Sequence, residues 1–369
     1  MKNKYPFLKS LKPSISYIEK YIPGDSNDFS GKKVAKLSSN ESPFRMSESV
    51  KKKIISQLLA SNIYPDGNCN NLKIALSKKF DLNTSQIICG NGSDDILSLV
   101  CVAFARENTE VICCKESFSF YPIIGRSSGA KINFANTKNL KVSFENIQKK
   151  INHKTRIIFI ANPNNPTGTL ILKKELVEGL KKIPPNIIVV IDGAYAEYVQ
   201  NKEFSDSLAL VKYFPNLVVT RTFSKIYGLA GLRIGWGYSS KKIIEILEKI
   251  RGPFNVNFVA QLAAEKLLDD KSFIKRSLKH NEIWKKKITS ELTKLGFTVG
   301  ESDTNFVLVK SNFKRLSSPK IVKELVKKNV FVRGLKNYGL KDFFRVSIGS
   351  ASELEFFIKN LKVIVKKYI

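Results

Sequence analysis

Three short apolar, β-branched runs punctuate the middle of the chain: Ile157–Ile160, Ile187–Ile191 and Leu217–Thr220. Their starts lie about thirty residues apart, the spacing of βαβ units. Between the first two, Leu176, Leu180 and Ile183 recur at helical spacing within Lys173–Ile183. A second helix-like stretch, Ser207–Tyr213, precedes the third run. Continuous apolar strands joined by helical crossovers predict a parallel sheet covered on both faces. Upstream, Val50–Ala60 reads as an amphipathic helix with Ile54, Ile55, Leu58 and Leu59 on its apolar face. Past about residue 250 the texture changes. Helical stretches at Phe258–Leu268 and Phe273–Leu295 precede strand-like runs at Phe306–Lys310 and Phe344–Ile348, the pattern of a smaller α+β unit. The expected division is an N-terminal arm with part of the small domain over 1–45, a large domain over 46–255 and a small domain over 256–369.

Composition narrows this picture without changing it. With 369 residues, 43% of them hydrophobic, the chain can bury a sizeable core and support two domains. Its net charge of +30 raises nucleic-acid or membrane-surface binding. The lysines are dispersed, however, and the longest runs are the triplets Lys51–Lys53 and Lys285–Lys287. That distribution describes a solvated surface, and no nucleic-acid partner is expected. The five cysteines follow no metal spacing and fit a reduced, cytoplasmic protein. His153 and His280 are too few for a histidine-based site, so no metal is expected. Met1–Ser10 is basic but no continuous apolar stretch follows, so neither a signal peptide nor a membrane span is expected.

Chemistry gathers where the strands end. In a parallel α/β sheet, ligands bind beyond the carboxyl ends of the strands. Ile157–Ile160 is followed by Asn162-Pro-Asn-Asn-Pro-Thr-Gly168, and Ile187–Ile191 by Asp192-Gly-Ala-Tyr195. Leu217–Thr220 leads into Thr222-Phe-Ser-Lys225 and Gly231-Leu-Arg233. An ordinary α/β domain has polar loops, but seldom places Asn, Asp, Tyr, Lys and Arg at these ends together. Gly90-Asn-Gly-Ser-Asp-Asp95 precedes the apolar helical run Ile96–Val102. A glycine-rich turn opening a helix offers free backbone N–H groups to an anion. Its spacing matches neither a dinucleotide fingerprint nor a P-loop.

These segments, in this order, resemble the fold-type I pyridoxal-phosphate-dependent aminotransferases. The resemblance covers nearly the whole chain and is nearest to the histidinol-phosphate subfamily. Tyr21-Ile-Pro-Gly24, Leu37-Ser-Ser-Asn-Glu-Ser-Pro43, Tyr64-Pro-Asp66, Ser224-Lys225 and Arg345-Val-Ser-Ile-Gly349 carry it further. It implies a large, mostly parallel sheet domain with a smaller α+β domain, and pyridoxal 5'-phosphate as cofactor. Lys225 would form the Schiff base with the cofactor aldehyde and then move the Cα proton. Asp192 would pair with the pyridine nitrogen. Asn165 and Tyr195 would meet the ring oxygen, and Tyr121 would stack on the ring. Ser93, Asp94, Thr222, Ser224 and Arg233 would hold the phosphate. Tyr64 would reach the phosphate of a neighbouring subunit, which implies a homodimer. Arg345 and Arg333 would bind substrate anions, and Asn40 would line the substrate side.

The implied reaction is a two-stage transamination, in which glutamate leaves as 2-oxoglutarate and imidazole acetol phosphate leaves as L-histidinol phosphate. An aromatic amino-acid aminotransferase or a phospho-amino-acid decarboxylase would use the same cofactor site. A non-catalytic binding protein on this fold is a further alternative. Three positions depart from the common pattern: Gly193 replaces a glutamate, Gly67 a proline, and Phe44 a small residue.

Overall fold

The structure is a computed structural model that describes residues 11–21, 33–58 and 61–368. Two sheets organise it. The larger has seven strands: β2 (Ile87–Gly90), β3 (Glu110–Cys114), β4 (Lys131–Ala135), β5 (Thr155–Ala161), β6 (Ile188–Asp192), β7 (Leu217–Thr222) and β8 (Gly235–Ser239). Their order is β2-β8-β7-β6-β5-β3-β4. The pairs from β7 through β4 are parallel, whereas β8 runs antiparallel to both β7 and β2. Strands β5, β6 and β7 are the three runs read from the sequence, each buried almost throughout. The helix expected over Lys173–Ile183 is present as Lys173–Lys181. The stretch at Ser207–Tyr213 forms only a 3-10 turn, Ser207–Leu210, because Phe214-Pro215 ends it before a second turn can close.

The smaller sheet has five strands: β1 (Ala35–Leu37), β9 (Thr298–Val299), β10 (Phe306–Lys310), β11 (Val330–Gly334) and β12 (Phe343–Ser347), in the order β1-β11-β12-β10-β9. β1 pairs parallel with β11, so the N-terminal segment is built into the C-terminal sheet. Helices Lys271–Lys294, Ser318–Val326 and Ala351–Tyr368 bury Trp284, Ile288, Ile321, Leu325, Phe357 and Leu361 in that unit's core. The helix Phe258–Asp269 instead buries Ala260, Ala263, Ala264, Leu267 and Leu268 in the core of the large sheet.

Helix α1 spans Glu48–Gln57 and α2 spans Asn70–Phe80. Among the described residues of the apolar face expected for α1, only Ile54 is buried, with Val50 beside it. Ile55 and Leu58 are 55% and 46% exposed. Leu59 and Ala60 lie outside the described residues, as do Ile22–Gly24 and Met1–Ser10. All five cysteines are buried free thiols. Among the described residues no helix is long and apolar enough to cross a membrane.

Candidate functional site

The carboxyl ends of β5, β6 and β7 open onto a cavity of about 250 Å³ between the two sheets. Asp192 is the last residue of β6 and Thr222 the last of β7, so strand register alone carries both to the rim. Of the residues singled out in the sequence, Asn40, Ser93, Asp94, Tyr121, Asn165, Asp192, Tyr195, Thr222, Ser224, Lys225, Arg233, Arg333 and Arg345 all line this one cavity.

At its floor, Asp192 is 6% exposed. Its carboxylate accepts from the Tyr121 hydroxyl at 2.8 Å and the Ala194 N–H at 3.1 Å, with the Thr220 hydroxyl at 3.4 Å. Burial still raises its pKa against these donors. Among the described residues this carboxylate has no cationic partner, and it suits a ligand N–H. Lys225 donates its Nζ to the Ser39 carbonyl at 3.3 Å. Burial, helped by the charge of Arg345, lowers its pKa from 10.5 to about 8. Its ammonium is therefore poised to become a neutral amine near physiological pH.

One end of the cavity is shaped for an anion. Helix α3 (Ser93–Phe104) begins there, with Ser93 and Asp94 in its first turn. Gly92 precedes it at φ +93°, and a Cβ on Gly92 would lie 2.5 Å from Arg233 Nη2. A Cβ on Gly235 would lie 2.3 Å from the Ser93 nitrogen. Glycine at both places lets the strand and the guanidinium close on the helix start. Arg233 takes the left-handed region at φ 56°, a conformation costing about 1–2 kcal/mol for a non-glycine residue. That backbone aims its guanidinium at Ser224 Oγ (3.3 Å) and Asp94 Oδ2 (3.4 Å).

The opposite end belongs to the small unit. Arg345 on β12 donates to Asn165 Oδ1 and to the Ser38 carbonyl, with Phe306 under its guanidinium at 5.2 Å. Its Nε is buried without a hydrogen-bond partner. Burial lowers its pKa. Arg333 on β11 pairs in register with Arg345 and reaches the same cavity.

One assignment changes. Tyr121 does not offer a free face for stacking: it is 0% exposed, lies parallel to Phe159 at 4.8 Å, and spends its hydroxyl on Asp192. The aromatic presented to the cavity is half-buried Phe118, edge-on to Tyr121 at 5.5 Å. The strand-end rule points there as well, since Phe118 lies four residues past β3. Asn40 lines the cavity but is 1% exposed, and it donates to the Tyr195 hydroxyl at 2.9 Å. Tyr64 lies outside the cavity, 78% exposed and stacked on Phe254 at 4.5 Å. Tyr338, reached from the small unit, had no sequence signal. The glycine at 193 has a local reason: a Cβ there would meet the buried Arg221 guanidinium at 3.1–3.2 Å. Arg221 draws its carboxylates from Asp206 and Glu197 instead.

A buried carboxylate, a low-pKa lysine and an anion cradle around one cavity define a carbonyl-condensing, amine-handling enzyme of the α/β class, and the chain belongs to the class I and II aminotransferase family, whose model matches residues 32–361. Within that family it is 44% identical to the histidinol-phosphate aminotransferase of Pelagibacter ubique, over 94% of this chain and 97% of that one. Its fold matches that of the histidinol-phosphate aminotransferase of Sinorhizobium meliloti, solved in complex with pyridoxal-5'-phosphate, with a TM-score of 0.87 at 24% identity over 92% and 93% of the two chains. The histidinol-phosphate aminotransferase of Clostridium acetobutylicum gives a TM-score of 0.82 at 27% identity over 90% and 99%.

Proposed function

We propose that the chain is a pyridoxal-phosphate-dependent transaminase exchanging the amino group between L-histidinol phosphate and 2-oxoglutarate. The observation that carries this reading is the polarity of the cavity: an anion cradle at one end, two arginines at the other, and Lys225 and Asp192 between them. The cofactor fits this donor set, since the Gly92/Gly235 approach leaves backbone N–H groups where a side chain would block an anion. When bound, pyridoxal phosphate supplies an aldehyde for the amino group and an electron-accepting ring.

The residues divide the remaining work. Ser93, Asp94, Thr222, Ser224 and Arg233 would hold the phosphate, mainly through the α3 amides and the Arg233 fork. Asp192 would hold a proton at the ring nitrogen, and Tyr195 and Asn165 would serve the ring oxygen. Phe118 lines the cavity where it would flank the ring. Lys225 Nζ, with its pKa near 8, serves as nucleophile and then carries the substrate carbon's proton. Arg345 takes the carboxylate of glutamate, and Arg333 with Arg345 takes the phosphate of the second substrate. The names of the relatives favour this substrate over an aromatic amino acid or a decarboxylation. The exposed Tyr64 and Phe254 pair supports a homodimer in which Tyr64 completes a neighbour's phosphate site. The two cores support a division into a large cofactor-binding domain and a small domain that takes in β1. We place the protein in the cytoplasm, in keeping with its free thiols.

The test is a half-reaction. The protein loaded with pyridoxal phosphate receives L-histidinol phosphate without a keto acid, and its visible absorbance is followed. Loss of the band supports cofactor, Lys225 and substrate together. A stable band refutes the substrate, and bleaching by phenylalanine or tyrosine would then favour the aromatic reading. Release of carbon dioxide would favour the decarboxylase.

A further inference from the structure

Asn40 occupies the loop between β1 and α1, buried to 1% exposure, with φ 55°. Asparagine tolerates that left-handed backbone. Its backbone N–H donates to Ser347 Oγ at 2.8 Å, and the Ser347 hydroxyl donates back to Asn40 Oδ1 at 2.8 Å. Asn305 Nδ2 donates to the Asn40 carbonyl at 3.0 Å. These contacts decide which way the amide faces. The Ser347 oxygen already receives the backbone N–H and sends its single proton to Oδ1, which leaves Nδ2 toward Tyr195. Nδ2 then donates to the Tyr195 phenol oxygen at 2.9 Å.

That oxygen, filled by an incoming N–H, must direct its own proton elsewhere. The Tyr195 ring is 3% exposed and packs edge-on against Phe306. Among the described residues no acceptor lies within hydrogen-bond distance of the hydroxyl, and the group lines the cavity. We propose that Asn40 is a positioning residue that aims the Tyr195 hydroxyl proton into the cavity, where the ring oxygen of pyridoxal phosphate would accept it. This rests on the cofactor reading above. The amide is required for its donor: an aspartate would accept from both Ser347 and Tyr195 and turn the phenol proton away. The device spans the two units, because Ser347 ends β12 of the small sheet and Tyr195 follows β6 of the large one.

The experiment is a pH titration of the visible absorbance of the loaded protein. A proton donated to the ring oxygen stabilises its anion and lowers the basicity of the nitrogen that Lys225 contributes beside it. Asn40→Asp is expected to raise the spectral midpoint by about one pH unit, a tenfold change in proton affinity. Ser347→Ala, which adds no charge, is expected to shift it the same way but less. Both shifts are expected to vanish in a Tyr195→Phe background, whose midpoint is already raised. An Asn40→Asp shift that persists in that background would show that the added charge acts directly and would overturn the proposal. So would a midpoint unmoved by either single substitution. Should Asn40→Asp fail to fold, judged by thermal melting, the Ser347→Ala and Tyr195→Phe pair decides alone. A wild-type protein that forms no visible band overturns the cofactor reading, and this proposal with it.

Discussion

Gly235→Ala isolates the anion cradle from the rest of the site. Gly235 opens β8 and pairs with Gly90 on one side and Thr222 on the other. The added Cβ would lie 2.3 Å from the Ser93 nitrogen and 2.6 Å from the Gly92 carbonyl carbon. Both are backbone atoms at the start of α3, so no side-chain rotation relieves the clash. Restoring ordinary contact at about 3.4 Å parts strand and helix by about 1 Å. Hydrogen bonds from the α3 amides to a phosphate would stretch out of their normal range of about 2.7–3.2 Å. Overpacking of this kind costs about 1–3 kcal/mol, and a hydrogen bond to a charged group contributes about 1.5–3 kcal/mol. We expect the dissociation constant for pyridoxal phosphate to rise about 10- to 100-fold, since each factor of ten is about 1.4 kcal/mol. The assay titrates cofactor-free protein with pyridoxal phosphate and, in parallel, with pyridoxal, which lacks the phosphate. The substitution should weaken the first and spare the second. Gly231→Ala is the control, because a Cβ there meets nothing within 4 Å. Wild-type affinity for pyridoxal phosphate, or an equal loss for both compounds, would refute the cradle.

Further outcomes follow from the same geometry. Burial sets Lys225 near pH 8 in the folded chain against 10.5 when unfolded, so between these values the unfolded state binds the extra proton and stability rises with pH. Cofactor-free wild type should therefore gain on Lys225→Met in melting temperature from pH 8 to 10; a constant gap would contradict the buried amine. Replacing Arg221 by Met leaves the Glu197 and Asp206 carboxylates without their buried cation, at an expected cost of about 3 kcal/mol in denaturant unfolding. A loss below about 1 kcal/mol would mean the cluster is not needed. Arg333→Ala should raise KM for L-histidinol phosphate at least about tenfold, the loss of one charge-assisted contact, while slowing an aromatic substrate far less. Equal effects on both would remove Arg333 from phosphate recognition.

How much of this was legible beforehand depends on the range of the interaction involved. The strands β5, β6 and β7, and the polar residues that end them, are local: β-branched runs bury on both faces, and the residue after a buried strand must emerge at its carboxyl edge. Lys225, Asp192, Thr222 and the Gly90–Asp95 turn could therefore be placed from pattern and resemblance. The apolar face of α1 was misread because periodicity reports that a face exists and not which neighbour covers it; Ile55 and Leu58 are exposed. The task of Tyr121 was misjudged for a related reason. Which ring faces a cavity, Tyr121 or Phe118, depends on one turn of chain packed against Phe159.

By itself, then, the sequence determined the α/β class, the strand-end residues and the chemistry those groups can perform, because each follows from short-range periodicity, turn composition and side-chain type. Tertiary structure alone decided the rest. It inserted β1 beside β11, brought Arg345 against Asn165, and set Asn40 between Ser347 and Tyr195. It also placed the Arg221 guanidinium in the space that Gly193 leaves. These contacts join residues far apart in the chain, and their geometry follows from how the two sheets close on one cavity. Burial there shifts Lys225 and Asp192 from their ordinary pKa values, because desolvation is a property of the packed surroundings and not of the residue.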